Sequence, residues 1–377
     1  MKRRDFLETG FKAAAGSALS LSMIRKLHSQ TQPDFLQIAE ERESHPLYFD
    51  GLTFFGGTEN GVRQSGLSGF LWDISAGEMI DGRYVRQPFA SLKSIAQARK
   101  LLTNNDEGLF LATKGTQIKK AHESGKTAVF LQFQSMEAIS EDLFLMDAFY
   151  DLGLRIQQIT HHYTNPFAGG SLEKKWTGLT DLGYQAVERM NELNILPDLG
   201  HANESVAMDV IKTAKPPVIV SHTACRALVN NARCLPDNVI KSVADTGGVV
   251  GIFAMSFWLT EDSAPTVDSY IDQLEHVINI AGIDAVGIAN DYDVAGQLQA
   301  AQMGNDNSKA VKGYYPWWKQ HEGILGFDEL PEHVIIPELN NVKRFFTIQK
   351  ALEERKYSAE EIEKIMGGNW VRVLTER

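Results

Sequence analysis

Apolar residues along this chain gather into short, nearly continuous runs separated by stretches with helical spacing. Eight runs stand out: Leu47–Leu52, Gly69–Ile74, Thr127–Phe133, Leu154–His161, Ile195–His201, Pro217–His222, Gly248–Ala254 and Ala285–Asn290. Runs without strict alternation mark strands buried on both faces, as in a parallel sheet covered by helices. Between the runs, Ser91–Leu102, Leu143–Leu152, Leu182–Asn194, Ser205–Thr213, Asp237–Thr246 and Val267–Ala281 repeat their apolar residues every three or four positions and predict helices. Eight strands alternating with helices predict an α/β fold, a (β/α)8 TIM-type barrel.

The ends of the chain read differently. Met1-Lys2-Arg3-Arg4-Asp5-Phe6-Leu7, a small apolar run from Phe11 to Ile24 and the basic pair Arg25-Lys26 match a twin-arginine export signal. We therefore expect a signal over residues 1–30, a linker with a short helix over 31–46, and one barrel domain with C-terminal helices over 47–377. The expected location is periplasmic or otherwise extracytoplasmic. One long connection runs from about Val294 to Pro337 and contains Gly313-Tyr314-Tyr315-Pro316-Trp317-Trp318. An aromatic excursion at this place in a barrel reads either as a lid or pocket wall, or as a packing arm or oligomer contact.

Charge narrows the partners. The net charge is −11, and it becomes more negative once the basic signal is set aside. There is no Lys/Arg run, which excludes nucleic acid as a partner. Beyond the signal no apolar stretch is long enough for an integral membrane span. The two cysteines, Cys225 and Cys234, fit no metal-ligand spacing and read as free thiols, with a disulfide as the alternative.

Candidate chemistry centres on residues 195–233. Two apolar runs end in His201 and His222, and a helical stretch, Glu204 to Lys215, joins them. In a βαβ unit the carboxyl ends of the strands carry the chemistry, and both histidines are there. A lone histidine at a strand end anchors a loop more often than it binds a metal. Two at equivalent positions are what a transition metal needs.

These residues resemble the membrane (renal) dipeptidase family of zinc peptidases. The family's DLSH, SHS/SHT and N-x-A-R segments appear as Asp198-Leu199-Gly200-His201, Ser221-His222-Thr223 and Asn230-Asn231-Ala232-Arg233. The resemblance extends from about residue 47 to the C-terminus, where Gly367–Val373 is similar to the family's closing helix. It implies a barrel of the metal-dependent hydrolase kind. It also implies roles: His201 and His222 as metal ligands, His161 as support for an oxyanion or the substrate carboxylate, and Arg233 as the carboxylate's binder. Asp291, in Gly287-Ile288-Ala289-Asn290-Asp291, would be a ligand, contact the substrate amine or move the proton.

The resemblance breaks at three positions. Leu52 and Phe54 stand where the family's first-strand histidine and aspartate ligands belong, and Gln134 stands where a glutamate bridges two zinc ions. Leucine and phenylalanine cannot bind a divalent cation, and a neutral amide is a poor bridge. The expectation is a reduced site with one zinc per chain, held by His201, His222 and Asp291, with Gln134 as a doubtful oxygen donor. A metal-free pocket remains the alternative, as do other ligands such as Asp73 or Glu137. Of the adjacent His161 and His162, one is expected to face inward. Asp293 reads as a turn cap.

Three functions remain open. The first is an exported hydrolase of a small, carboxylate-bearing amide, a dipeptide or N-acyl amino acid, working through Asp291, His161 and Arg233. The second is a barrel of the same family without catalysis that binds a small anionic ligand or a protein partner. The third is a hydrolase using carboxylates alone, such as Asp291 with Asp198 or Glu137. The resemblance also leaves a homodimer open.

Overall fold

The computed structural model describes residues 35–55, 59–80, 83–103, 108–297 and 322–376. The signal segment and the aromatic cluster Gly313–Trp318 lie outside the described residues.

The strands are β1 (Tyr48–Asp50), β2 (Leu67–Asp73), β3 (Gly77–Ile80), β4 (Arg83–Arg86), β5 (Leu109–Leu111), β6 (Thr127–Phe133), β7 (Leu154–Gln158), β8 (Leu196–Asp198), β9 (Val220–Thr223), β10 (Val250–Ile252) and β11 (Val286–Ile288). One sheet has the order β1-β2-β6-β7-β8 and another β11-β10-β9, with parallel neighbours throughout. Asp198 bridges Ile219, joining β8 to the edge of β9. On the other side the amide of Gly51 donates to the carbonyl of Ile288 at 2.8 Å. The ring thus closes as an eight-stranded parallel barrel, and each of the eight apolar runs supplies one strand. β2 and β6 are buried along their whole length, as strands between helices and a filled interior must be.

The helices follow the expected spacing, and side-chain caps set the start of some of them. They include α1 (Phe35–Arg42), α2 (Glu59–Ser65), α3 (Pro88–Thr103), α4 (Thr116–Glu123), α5 (Phe144–Asp151), α6 (Asp181–Leu193), α7 (Glu204–Thr213), α8 (Asp237–Asp245), α9 (Val267–Ala281), α10 (Arg344–Glu354), α11 (Ala359–Glu363) and α12 (Asn369–Thr375). Asn203 caps α7 by accepting from the amide of Val206 at 3.0 Å, and Thr180 caps α6 by accepting from Gly183 at 3.1 Å. α1 occupies the segment read as linker and short helix. Its buried Arg42 donates to the carbonyl of Leu67 at 2.6 Å and ties it to the barrel.

The lower barrel interior is apolar: Phe49, Leu71, Phe130, Ile156, Leu196, Ile219 and Val249 meet the fully buried Trp370 of α12. Gly51, Gly251 and Gly287 face this indole. A Cβ on Gly51 would come within 2.4 Å of it, so these strands can accept Trp370 only because they carry glycine there. The indole Nε1 donates to the carbonyl of Ile288 at 3.1 Å. The closing helix begins at Asn369, after a π-type turn over Lys364–Gly368, two residues later than the sequence resemblance suggests. The hairpin β3–β4 and the short β5 carry no long apolar run, and the pattern did not predict them. With one end of the barrel plugged by Trp370, polar groups collect at the other, beyond the carboxyl ends of the strands.

Candidate active site

Four histidines meet at the carboxyl rim. His161 follows β7, His201 follows β8, His222 lies within β9, and His162 joins them. His201 Nε2 lies 2.8 Å from His222 Nε2, and His201 Nδ1 lies 3.4 Å from His162 Nδ1. The ring of His161 stacks on that of His201, with centroids 4.0 Å apart and planes 26° apart. The expectation that only one of His161 and His162 faces inward is thus corrected: the turn after β7 brings both rings against His201. Asp291, just past β11, places Oδ2 3.9 Å from His222 Nε2.

Two of these residues hold unusual backbones. His201 has φ 60° and Asp291 φ 61°. Non-glycine residues rarely adopt this left-handed region, at a cost of about 1–3 kcal/mol, and such strain gathers at functional sites.

The ligand question turns on distances and ring planes. Zinc–ligand bonds are about 2.0–2.2 Å, so two ligands of one ion lie at most about 4.4 Å apart and, in a tetrahedron, about 3.3 Å apart. The His201–His222 and His222–Asp291 separations, 2.8 Å and 3.9 Å, fall within that span. The rings of His201 and His222 are inclined at 65°, so their lone pairs can converge. The shorter separation is that of a hydrogen bond, and an ion between the rings requires them to part by about half an ångström. Ligand atoms of His161, His162 and His201 also gather within 4.8 Å of one another. Lone pairs lie in the ring planes, however, so stacked His161 and His201 direct theirs side by side rather than at one point. His222 Nε2 is thus within one ion's span of both His201 Nε2 and Asp291 Oδ2, two pairs that share His222.

Electrostatics agree with ligand chemistry. Burial holds His161, His201 and His222 well below the ordinary histidine range, and pushes His162 down to about 3. All four rings are then neutral near neutral pH, the form that ligates a cation. Burial pushes Asp291 up to about 7, an effect that the Arg233 guanidinium opposes. Arg233 is itself buried, at 2% exposure, and burial lowers it to about 10. Its Nη2 donates to the carbonyl of His222 at 3.1 Å, while Nε and Nη1 find no partner among the described residues. Buried donors without acceptors are costly.

Behind the histidines lies a polar layer that only its sequence neighbours could have signalled. Ser221 Oγ is 2.7 Å from His222 Nδ1 and donates to Asp198 Oδ2 at 2.6 Å. Asp198 also accepts from the amides of Ser221 and Gly200 and from Gln132 Nε2. Asp198 and Ser221 each stand near a histidine in the sequence, but nothing in the sequence shows that they touch each other. Occupied in this way, Asp198 is withdrawn from the carboxylate-pair reading. Glu137 is used as well, since its Oε2 accepts from the amide of Arg86 at 3.4 Å.

Of the three positions where the resemblance breaks, two are apolar and one carries a neutral amide. Leu52 is fully buried. Phe54 pairs with Asp293 in a parallel bridge. Gln134 is buried; its backbone N–H donates to Asp73 Oδ1 at 3.3 Å and its backbone carbonyl accepts from Gln158 Nε2 at 3.0 Å. Asp73 also accepts from Ser75, through its amide at 2.9 Å and its hydroxyl at 2.7 Å. Cys225 and Cys234 are free, buried thiols.

A parallel barrel with histidines and a carboxylate at its carboxyl rim defines a protein of the metal-dependent hydrolase class. The model of the membrane dipeptidase family (peptidase family M19) matches residues 60–310, and the chain belongs to that family. The match begins after β1, so Leu52 and Phe54 lie outside it. Dipeptidase tcpJ of Claviceps purpurea is 25% identical over 296 residues, covering 78% of this chain; the chain spans 60% of that curated relative's length. An amidohydrolase from Pseudomonas aeruginosa superposes with a TM-score of 0.73 at 26% identity, over 91% of this chain and 98% of its own. A metallopeptidase from Rhodobacter sphaeroides, liganded with a phosphinate mimic of the dipeptide L-Ala-D-Ala, has the same fold, with a TM-score of 0.70 at 18% identity over 88% of this chain and 99% of its own. Among the described residues no helix is long and apolar enough to cross a membrane.

Proposed function

We propose that this chain hydrolyses a small amide bearing a free carboxylate, a dipeptide or an N-acyl amino acid, at a reduced site with one zinc ion. The observation that carries the reading is the approach of His222 Nε2 to both His201 Nε2, at 2.8 Å, and Asp291 Oδ2, at 3.9 Å, with Arg233 bonded to the His222 carbonyl. Two histidines and a carboxylate form a zinc set that leaves a coordination position open. Zinc bound there supplies a Lewis acid that polarises a carbonyl and makes water more acidic.

The chain's own residues do the rest. Arg233 offers Nε and Nη1 to the substrate carboxylate, a planar fork for a planar group. Asp291 serves either as the third ligand or as the base that takes the proton of the attacking water and passes it to the leaving amine, not as both. His161, neutral and braced against His201, donates its N–H to the carbonyl oxygen as charge develops. The paired arginines at the N-terminus support export by the twin-arginine route. The aromatic excursion supports a pocket wall or a dimer contact.

A second reading rests on a specific observation. The 2.8 Å contact between His201 and His222 satisfies both Nε2 atoms without an ion, and Leu52 and Phe54 remove the family's other ligands. In that reading the barrel binds a small anion through Arg233 and has no turnover. One experiment separates the two: elemental analysis of protein purified without chelator, with a dipeptide screen, on wild type and His222→Ala. The first reading expects about one zinc per chain and metal-dependent hydrolysis, both lost in the variant. Turnover that survives chelation or the variant overturns it.

A further inference from the structure

We infer that Asp198 and Ser221 are positioning residues that hold His222 in its Nδ1–H form, so that its Nε2 lone pair faces the pocket. The tautomer follows from counting donors. Asp198 Oδ1 accepts from the amides of Ser221 at 2.7 Å and Gly200 at 2.9 Å, and Oδ2 accepts from Gln132 Nε2 at 3.0 Å. These three groups can only donate, so the carboxyl they surround acts as an acceptor. The hydroxyl of Ser221 has one proton, and at 2.6 Å it gives it to Asp198 Oδ2. The Ser221 oxygen is then the acceptor for His222 Nδ1 at 2.7 Å, and Nδ1 must carry hydrogen. A neutral ring with hydrogen on Nδ1 has its lone pair on Nε2. That atom lies 2.8 Å from His201 Nε2 and 3.9 Å from Asp291 Oδ2.

Neither Asp198 nor Ser221 is exposed to the pocket; both are fully buried. They act through His222. Left without a partner, a neutral histidine favours hydrogen on Nε2, the atom a metal would need bare. The relay reverses that preference. Its bearing on metal binding rests on the reading of His222 as a ligand, whereas the tautomer does not. Outer partners of this kind commonly govern metal affinity by about 10- to 100-fold.

Three substitutions separate the relay from simple packing. Ser221→Ala removes the acceptor for Nδ1, and Ser221→Thr keeps it. Asp198→Asn keeps the shape but reverses the direction. The asparagine NH2 now donates to Ser221 Oγ, whose hydroxyl turns to His222 Nδ1. Gln132 can rotate its amide to meet the new donor, because its Oε1 has no partner at present.

The test is long-range 1H–15N NMR of histidine-labelled, metal-free, full-length protein at neutral pH, with His222 assigned by its loss in His222→Gln. Zinc affinity is measured in parallel by chelator competition. Wild type and Ser221→Thr should show hydrogen on Nδ1 of His222. Ser221→Ala and Asp198→Asn should show it on Nε2 and bind zinc 10- to 100-fold more weakly. Hydrogen on Nε2 in wild type, or an unchanged tautomer in both Ser221→Ala and Asp198→Asn, overturns the inference. If no form binds zinc while the tautomer shifts as expected, the metal reading fails and the relay stands.

Discussion

The amide of Asp291 donates to the carbonyl of Leu52 at 2.9 Å, so the backbone that carries the site's carboxylate is tied directly to Leu52. The amide of Asn290 reaches the same carbonyl at 3.1 Å. These two hydrogen bonds to the residue just past β1 accompany the left-handed backbone of Asp291. Leu52 is fully buried, and its side chain offers no metal ligand.

The three positions can be changed back. Leu52→His, Phe54→Asp and Gln134→Glu together should rebuild the family's missing ligands. We expect zinc to rise from about one to about two per chain by elemental analysis. Without metal, the same variant should melt below wild type, because it buries two new carboxylates without a counter-ion. An unchanged zinc content would mean that β1 does not approach the pocket in the family's register.

Asp291 also makes a prediction in pH. Its folded value is about 7, raised above an ordinary carboxyl value of 3.8. Between those values the folded chain keeps a proton that the unfolded chain has lost. The group's contribution to stability is therefore most favourable at low pH, declines as pH rises from about 4, and is at its worst above 7. In metal-free protein, Asp291→Asn should thus raise the melting temperature at pH 8 and change it little at pH 4. Equal shifts at both pH values would show that Asp291 is not desolvated. Zinc binding should weaken in the same variant at every pH.

Much of this molecule was legible in its residues because burial on both faces leaves a continuous apolar run. All eight barrel strands, from Leu47–Leu52 to Ala285–Asn290, declared themselves in that way. Helix α9 was readable to the residue because the Thr266–Ser269 capping box fixes its start and Gly282 follows its end. The hairpin β3–β4 was not readable, since its strands are half-exposed and mix charge with apolar residues. In the site, His201 and His222 were visible through their equivalent places at strand ends. The inward turn of His162 was not, because two adjacent histidines in an irregular turn carry no period. The bond between Ser221 and Asp198 was hidden for another reason: it joins two strands, and sequence spacing does not record which side chains meet inside a barrel.

Arg233 offers the sharpest separation of stability from function. Its guanidinium lies over the rings of Phe253 and Trp258, with centroids 5.1 Å and 5.7 Å away. Only Nη2 has an acceptor, the carbonyl of His222, and burial lowers the whole group to about 10. A buried cation with unmet donors destabilises the fold by about 1–3 kcal/mol for the missing hydrogen bonds. Arg233→Met keeps much of the length and packs against the same two rings, so its melting temperature should equal or exceed that of wild type. Its kcat/KM on a free dipeptide should fall by roughly 30- to several-thousand-fold, the loss of a buried charge pair worth about 2–5 kcal/mol. Most of the fall should appear in KM, because the substrate carboxylate is present before and after the transition state. Arg233→Lys should not restore it, since an ammonium cannot present two parallel donors to a carboxylate. A dipeptide amide, which lacks the carboxylate, should be turned over poorly by wild type and no worse by Arg233→Met. If the two substrates respond alike to the substitution, Arg233 holds the loop rather than the substrate.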